Sequence, residues 1–263
     1  MAMTSELVLT ADSDGVRVIT LNRPAARNAL SRELIRASYA ALTSADADET
    51  VRAVVLTGAD PAFCAGVDLK EAARDGLSYF EEFRSQSCIA AVAQMRTPVV
   101  GAVNGATFTG GLEMALGCDF LIASERAVFA DTHVRVGILP GGGMTARLPQ
   151  LVGAAMARRL SMTGEVVDAA RAERIGLVTE VVPHHRLLER AVELAAQIAE
   201  VPRLTVRGLK EIYTTGAAAV IDPALAAEEQ IAVAQHRDSH DFDGLGDRFS
   251  AVTERNKEQI GPA

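Results

Sequence analysis

The sequence holds one carboxylate placed for chemistry. In Asn104-Gly105-Ala106-Thr107-Phe108-Thr109-Gly110-Gly111-Leu112-Glu113, the Gly110-Gly111 pair exposes backbone N–H groups, and Glu113 stands about one helical turn beyond Gly110. Carboxylate and amides can therefore address the same pocket. A capping box with Glu113 as its acidic member explains the same spacing. A second segment, Ala62-Phe63-Cys64-Ala65-Gly66-Val67-Asp68-Leu69-Lys70-Glu71, also runs from an apolar stretch into a helical pattern through small residues. Free N–H groups at a helix start favour partial negative charge. The alternative there is a tight strand-to-helix connection with no ligand. The third segment, Asp131 to Gly143, contains His133, which takes or gives a proton near neutral pH. Asp131 is close enough in sequence to orient His133 or to serve as a further acid. The run Gly141-Gly142-Gly143 lacks the Lys-Ser/Thr of a P-loop, and GxGxxG fails at Ala146. Taken alone it reads as a flexible turn before a helix beginning near Thr145.

These segments need elements to hold them. Leu7–Thr10 and Val16–Leu21 are β-rich runs flanking Asp12-Ser13-Asp14-Gly15, which predicts a hairpin. Ser31 is placed to cap a helix with Leu34, Ile35, Ser38 and Leu42 on one side. Short apolar runs at Ala53–Thr57, Pro98–Val103 and Asp119–Ala123 predict buried strands. Leu69–Met95 is helical in pattern with a break near Gly76, and Gly110–Gly117 predicts a short helix. Strand, glycine-bearing turn and helix thus recur, which is α/β order. From about Gly153 the chain turns helical, with helices predicted over Ala154–Leu160, Leu187–Ala199, Arg203–Tyr213 and Ala224–Gln235 and one strand over Val178–Val182. The reading is an α/β core over residues 1–195 with a helical region over 196–263 packed on it.

Composition removes several function classes. The 263 residues are 49% hydrophobic and 23% charged, with a net charge of −8, so the chain can bury a sizeable core and lacks the basic balance of non-specific nucleic-acid binding. No apolar run approaches the roughly 20 residues of a membrane helix. Cys64, Cys88 and Cys118 are odd in number and widely spaced, which predicts reduced thiols in a cytoplasmic protein. Cys64 reads as a small buried residue, not a nucleophile. His236 and His240, four apart without a third ligand, read as a solvated helix face and not a metal site. No GxSxG elbow occurs, which disfavours a thioesterase of the α/β-hydrolase type.

Together, AFCAGVDLKE at 62–71, NGATFTGGLEMALGCD at 104–119 and VGILPGGGMTARLP at 136–149 resemble the enoyl-CoA hydratase/isomerase (crotonase) superfamily. Leu21-Asn22-Arg23-Pro24, Asn28-Ala29-Leu30 and the stretches 160–164 and 172–182 extend the resemblance over nearly the whole chain, in order. It implies a spiral of repeated ββα units, a helical C-terminal trimerisation region and a homotrimer or dimer of trimers. It also implies an acyl-CoA ligand and no separate cofactor or metal. Carried over by motif, the Val67 and Gly110 amides form a thioester oxyanion hole. Ala65, Asp68, Leu69, Lys70 and Gly111 line the substrate or its CoA moiety, and Arg23 and Lys70 are candidates for its phosphates. Ala25 stands where relatives often have Lys. Glu113 aligns with the first of two hydratase glutamates, and the second is replaced by His133. Three activities then stand open: hydration of a 2-enoyl-CoA, isomerisation by a single base, and acyl-CoA binding without turnover. Glu113 and both oxyanion positions are kept, which favours hydratase first.

Overall fold

The computed structural model describes residues 6–238 and 244–260. Residue 240, and with it the reading of His236 and His240 as one solvated face, lies outside them.

Strands β1 (Val8–Ser13) and β2 (Val16–Leu21) form the expected hairpin. Asp14 and Gly15 make its two-residue turn, both with positive φ (51° and 81°), the geometry that suits strand twist. Ser31 caps α1 (Arg32–Ala47) by accepting from Leu34 N–H, and the predicted apolar face is buried. The spiral begins at β3 (Ala53–Gly58), followed by β4 (Ala62–Cys64) and α2 (Leu69–Asp75). Gly76 ends α2, and α3 (Leu77–Ser85) and α4 (Cys88–Gln94) continue the helical stretch. The next turn is β5 (Val99–Val103), β6 (Ala106–Phe108) and α5 (Gly110–Leu116). The third is β7 (Phe120–Ser124), β8 (Val128–Ala130) and the single-turn α6 (His133–Val136). After it come α7 (Met144–Val152), α8 (Ala154–Thr163), β9 (Val167–Asp168), α9 (Ala169–Arg174) and β10 (Glu180–Val182). The chain ends in α10 (Leu187–Glu200), α11 (Arg203–Asp238) and α12 (Leu245–Ile260).

Each turn of the spiral adds one strand to each of two sheets. The large sheet has the order β1-β2-β3-β5-β7-β10, and the small one β4-β6-β8-β9. Strand β3 is buried throughout because both its faces are covered. Val54 and Leu56 join the main core, while Ala53 and Val55 pack in a second cluster with Leu187, Ala191 and Ala195 of α10. Residue 195, where the sequence divides core from helical region, lies inside α10.

The structure corrects one helical expectation. The helices predicted at 203–213 and 224–235 are one continuous α11, with Pro223 inside it. Pro223 removes one N–H from the ladder, but Ala219, whose carbonyl loses that partner, is exposed to water. The strand predicted at 178–182 is limited to Glu180–Val182. Among the described residues no helix is long and apolar enough to cross a membrane, and no cluster of His, Cys, Asp or Glu could hold a metal ion.

Candidate active site

Strands β4, β6 and β8 are parallel neighbours, so the segments leaving their C-terminal ends emerge side by side. Those segments are Ala65–Asp68, Thr109–Gly110 and Asp131–His133. This shared exit brings together groups far apart in sequence, as at the carboxyl ends of parallel strands generally.

The first segment is held from the N-terminal side. Asn28 is fully buried, with φ at 55°. Its amide donates to the carbonyls of Ala59, Ala62 and Phe63, and its Oδ1 accepts from Arg23 N–H. Leu30 then bridges Val67, donating to Gly66 O at 2.8 Å and accepting from Asp68 N–H at 3.2 Å. In a parallel bridge those two bonds flank Val67, so the Val67 N–H points away from Leu30. Gly66 lies against the α5 start: a Cβ there would fall 3.3 Å from Gly110 N and far inside contact distance of Thr109 Oγ1. The backbones carrying the Val67 and Gly110 amides are thus in contact.

A cavity of about 530 Å³ opens beside them. Arg23, Ala65, Val67, Asp68, Leu69, Lys70, Glu113 and His133 line it. Arg23 is already engaged there, donating to Asp68 at 2.6 Å and to Ala29 O. Asp68 also caps α2 by accepting from Lys70 and Glu71 N–H. Gly110 and Gly111 are not part of the cavity wall. Gly111 instead faces β4, where a Cβ would lie 2.1 Å from Cys64 O, so its bareness permits close helix–strand contact. Burial pushes the Cys64 thiol up to about 12, which leaves it inert as a nucleophile.

Glu113 does not close a capping box. Thr109, at the helix N-cap, makes no side-chain cap bond. The Glu113 carboxylate turns to the glycine run, where Oε1 accepts from Gly142 N–H at 2.8 Å and Met144 N–H at 3.3 Å. Its Oε2 stands 3.8 Å from His133 Nε2, too long for a hydrogen bond but within ion-pair range. His133 Nδ1–H donates to Asp131 Oδ1 at 2.7 Å. Asp131, His133 and Glu113 are all buried.

Burial pushes Glu113 up to about 7; the His133 charge opposes that rise, and Glu228 and Asp131 add to it. Burial by itself would lower His133. The hydrogen bond to Asp131 and the charges of Glu113, Asp131 and Glu228 overcome it and carry His133 up to about 9. Asp131 stays below its ordinary value despite burial, because it accepts from His133. Between those two values the site holds an imidazolium facing a carboxylate.

The profile of the enoyl-CoA hydratase/isomerase family matches residues 11–249. The chain belongs to that family. A probable enoyl-CoA hydratase of Rhizobium meliloti (strain 1021) is 44% identical over 199 residues, 75% of this chain and 77% of that protein. A crotonyl-CoA hydratase of Syntrophomonas wolfei is 37% identical over 231 residues, 86% of this chain and 88% of that one. The crystal structure of an enoyl-CoA hydratase from Mycobacterium smegmatis shares 46% identity with a TM-score of 0.79, covering 89% of this chain and all of that one. These likenesses bear out the crotonase fold, including the helical C-terminal region.

Within this enoyl-CoA hydratase/isomerase fold, some site residues escape sequence reading. Glu228, on α11, accepts from Gly143 and Thr145 N–H, and nothing in its sequence surroundings points there. Phe249, Val252, Asn256 and Ile260 of α12 line the cavity from the far end of the chain. Their spacing follows one helix face, a legible signal of packing but not of what is packed. The turn at 141–143, read as flexible, is pinned by two carboxylates.

Proposed function

We propose that the protein is an enoyl-CoA hydratase that adds water across the double bond of a 2-enoyl-CoA thioester. The observation that carries this reading is Glu113 Oε2 facing His133 Nε2 at 3.8 Å on the wall of a cavity that Val67 also lines. Two proton-handling groups suit hydration, which takes one proton from water and gives one to carbon. A single-base isomerase would need only one, and a silent binder neither.

In this reading the Val67 amide, on the cavity wall, and the Gly110 amide, next in the chain to Thr109 on that wall, bind the thioester oxygen and stabilise it as charge builds there. One such preorganised donor is worth roughly 3–4 kcal/mol. The Glu113 carboxylate takes a proton from water as its oxygen attacks C3. The C2–C3 electron pair moves toward the thioester, which acts as electron sink without a separate cofactor. The His133 imidazolium protonates C2. The proton left on Glu113 returns to His133 Nε2 through an intervening water and resets the pair. Arg23, Ala65, Asp68, Leu69 and Lys70 border the path of the CoA moiety; Arg23 is paired with Asp68, whereas Lys70 makes no ion pair among the described residues. Asp68 serves there by capping α2 and holding Arg23. Exposed apolar side chains on α11, with Leu204 at 85%, Ile212 at 70% and Tyr213 at 74%, support assembly into a homotrimer or dimer of trimers.

The test is a hydration assay with crotonyl-CoA, run beside a 3-enoyl-CoA with product identification. Wild type hydrates the 2-enoyl thioester. Glu113→Gln lowers kcat by about 10²–10⁴ while acyl-CoA binding persists. Glu113→Gln turning over at the wild-type rate would sink the mechanism, and a rearranged 3-enoyl product without hydration would establish the isomerase.

A further inference from the structure

Four consecutive backbone amides at the start of α7 are divided between two carboxylates. Glu113, from α5, accepts from Gly142 and Met144. Glu228, from α11, accepts from Gly143 N–H at 2.6 Å, from Thr145 N–H at 2.8 Å and from the Thr145 hydroxyl. These are the amides a helix start leaves without internal partners, and together they form an anion-binding concavity. Both carboxylates are buried. Arg147, one turn into α7, donates to Gly142 O at 2.9 Å and closes the same loop from the other side. Because the amides alternate between the two acids, the loop cannot turn toward one without leaving the other. With Gly143 and Thr145 held by Glu228, the alternate amides of Gly142 and Met144 are left to Glu113.

We infer that Glu228 is a positioning residue: by gripping alternate amides of this turn it ties Glu113 Oε1 to Gly142 and leaves Oε2 as the oxygen that handles the proton opposite His133. The inference rests on the reading of Glu113 as the site's base. The charged groups around Glu113 are His133 and Asp131 from the α6 segment, Arg147 from α7 and Glu228 from α11. Glu228 adds negative field at both Glu113 and His133, so it supports the imidazolium as well as holding the turn.

The experiment uses full-length protein and two substitutions. Glu228→Gln removes the charge. Its His133 ring, followed by NMR titration of carbon-13-labelled histidine, is expected to titrate roughly one pH unit lower. Both limbs of the rate–pH profile on crotonyl-CoA are expected to move down with it. Glu228→Asp keeps the charge but cannot span both amides. It is expected to leave the His133 titration in place and to cut kcat about tenfold with KM little changed. The proposal is overturned if Glu228→Gln leaves the His133 titration unmoved, or if Glu228→Asp keeps wild-type kcat. Should wild type fail to hydrate any enoyl-CoA, the hydratase reading falls by itself, while the His133 titration still decides whether Glu228 acts on the site.

Discussion

At the residue scale, the acid role proposed for His133 depends on the carboxylates around it, Asp131 first among them. A buried imidazole by itself would shed its proton, and the 2.7 Å bond from Nδ1 to Asp131, together with the charges of Glu113, Asp131 and Glu228, reverses that tendency. Glu113 rises toward neutrality for the opposite reason, desolvation of its charge. With Glu113 about 7 and His133 about 9, the carboxylate–imidazolium pair prevails between those values. The dependence of kcat/KM on pH is expected to be bell-shaped, with limbs belonging to the coupled pair near them. A profile flat from pH 6 to 10 would show that neither group carries protons in turnover. Asp131→Asn removes the support of the imidazolium, so its alkaline limb is expected to shift toward lower pH, narrowing the bell from that side. An unshifted alkaline limb in that variant would remove Asp131 from the account.

At the scale of elements, the site is a set of strand exits. The loop after β6 holds Thr109 at φ 45°, a conformation that a β-branched residue adopts only under strain of about 1–3 kcal/mol. The strain is sustained where Thr109 N–H is tied to Ala130 O and Gly66 is pressed against the Thr109 side chain. Gly66 itself has φ 92°. Gly66→Ala therefore meets both a steric and a conformational barrier. It is expected to cost more than about 1 kcal/mol of stability. By displacing the two amides from each other it should lower kcat/KM about 10²-fold. Urea unfolding and the hydration assay measure the two effects separately, and wild-type values in both would show that the contact is not needed.

For the whole molecule, the buried ionisable site carries a stability signature. Glu113 is raised from its ordinary 4.5, so the native state binds more protons there and stability falls as pH rises from 4.5 through about 7. His133 is raised from 6.5, so its stabilisation is complete below 6.5 and is lost as pH rises through about 9. Both groups act in the same direction. The urea midpoint is expected to decline from pH 5 to 9, and Glu113→Gln should flatten the lower part of that decline. A midpoint that climbs over this interval in wild type, with no difference in the variant, would contradict the buried pair.

Much of this was legible in the residues. The hairpin, the Ser31-capped helix and the buried strands β3, β5 and β7 follow from local patterning, because a strand covered on both faces must be apolar throughout. The three motifs pointed to the family, and to Glu113 and His133, because close backbone approach restricts which residues can stand there. The short strands β4, β6 and β8 left no periodic signal in three residues each, yet they place the three motifs side by side. Glu228 was invisible for a related reason: a glutamate on a long helix is ordinary until the fold brings the amides of Gly143 and Thr145 to it. The sequence by itself determined the fold family and the candidate chemical groups. Only the tertiary structure decided that Asp131 bonds His133, that Glu113 turns to the glycine run and that α11 and α12 border the cavity. Proton affinity and orientation depend on neighbours in space, and in this spiral those neighbours come from distant turns of the chain.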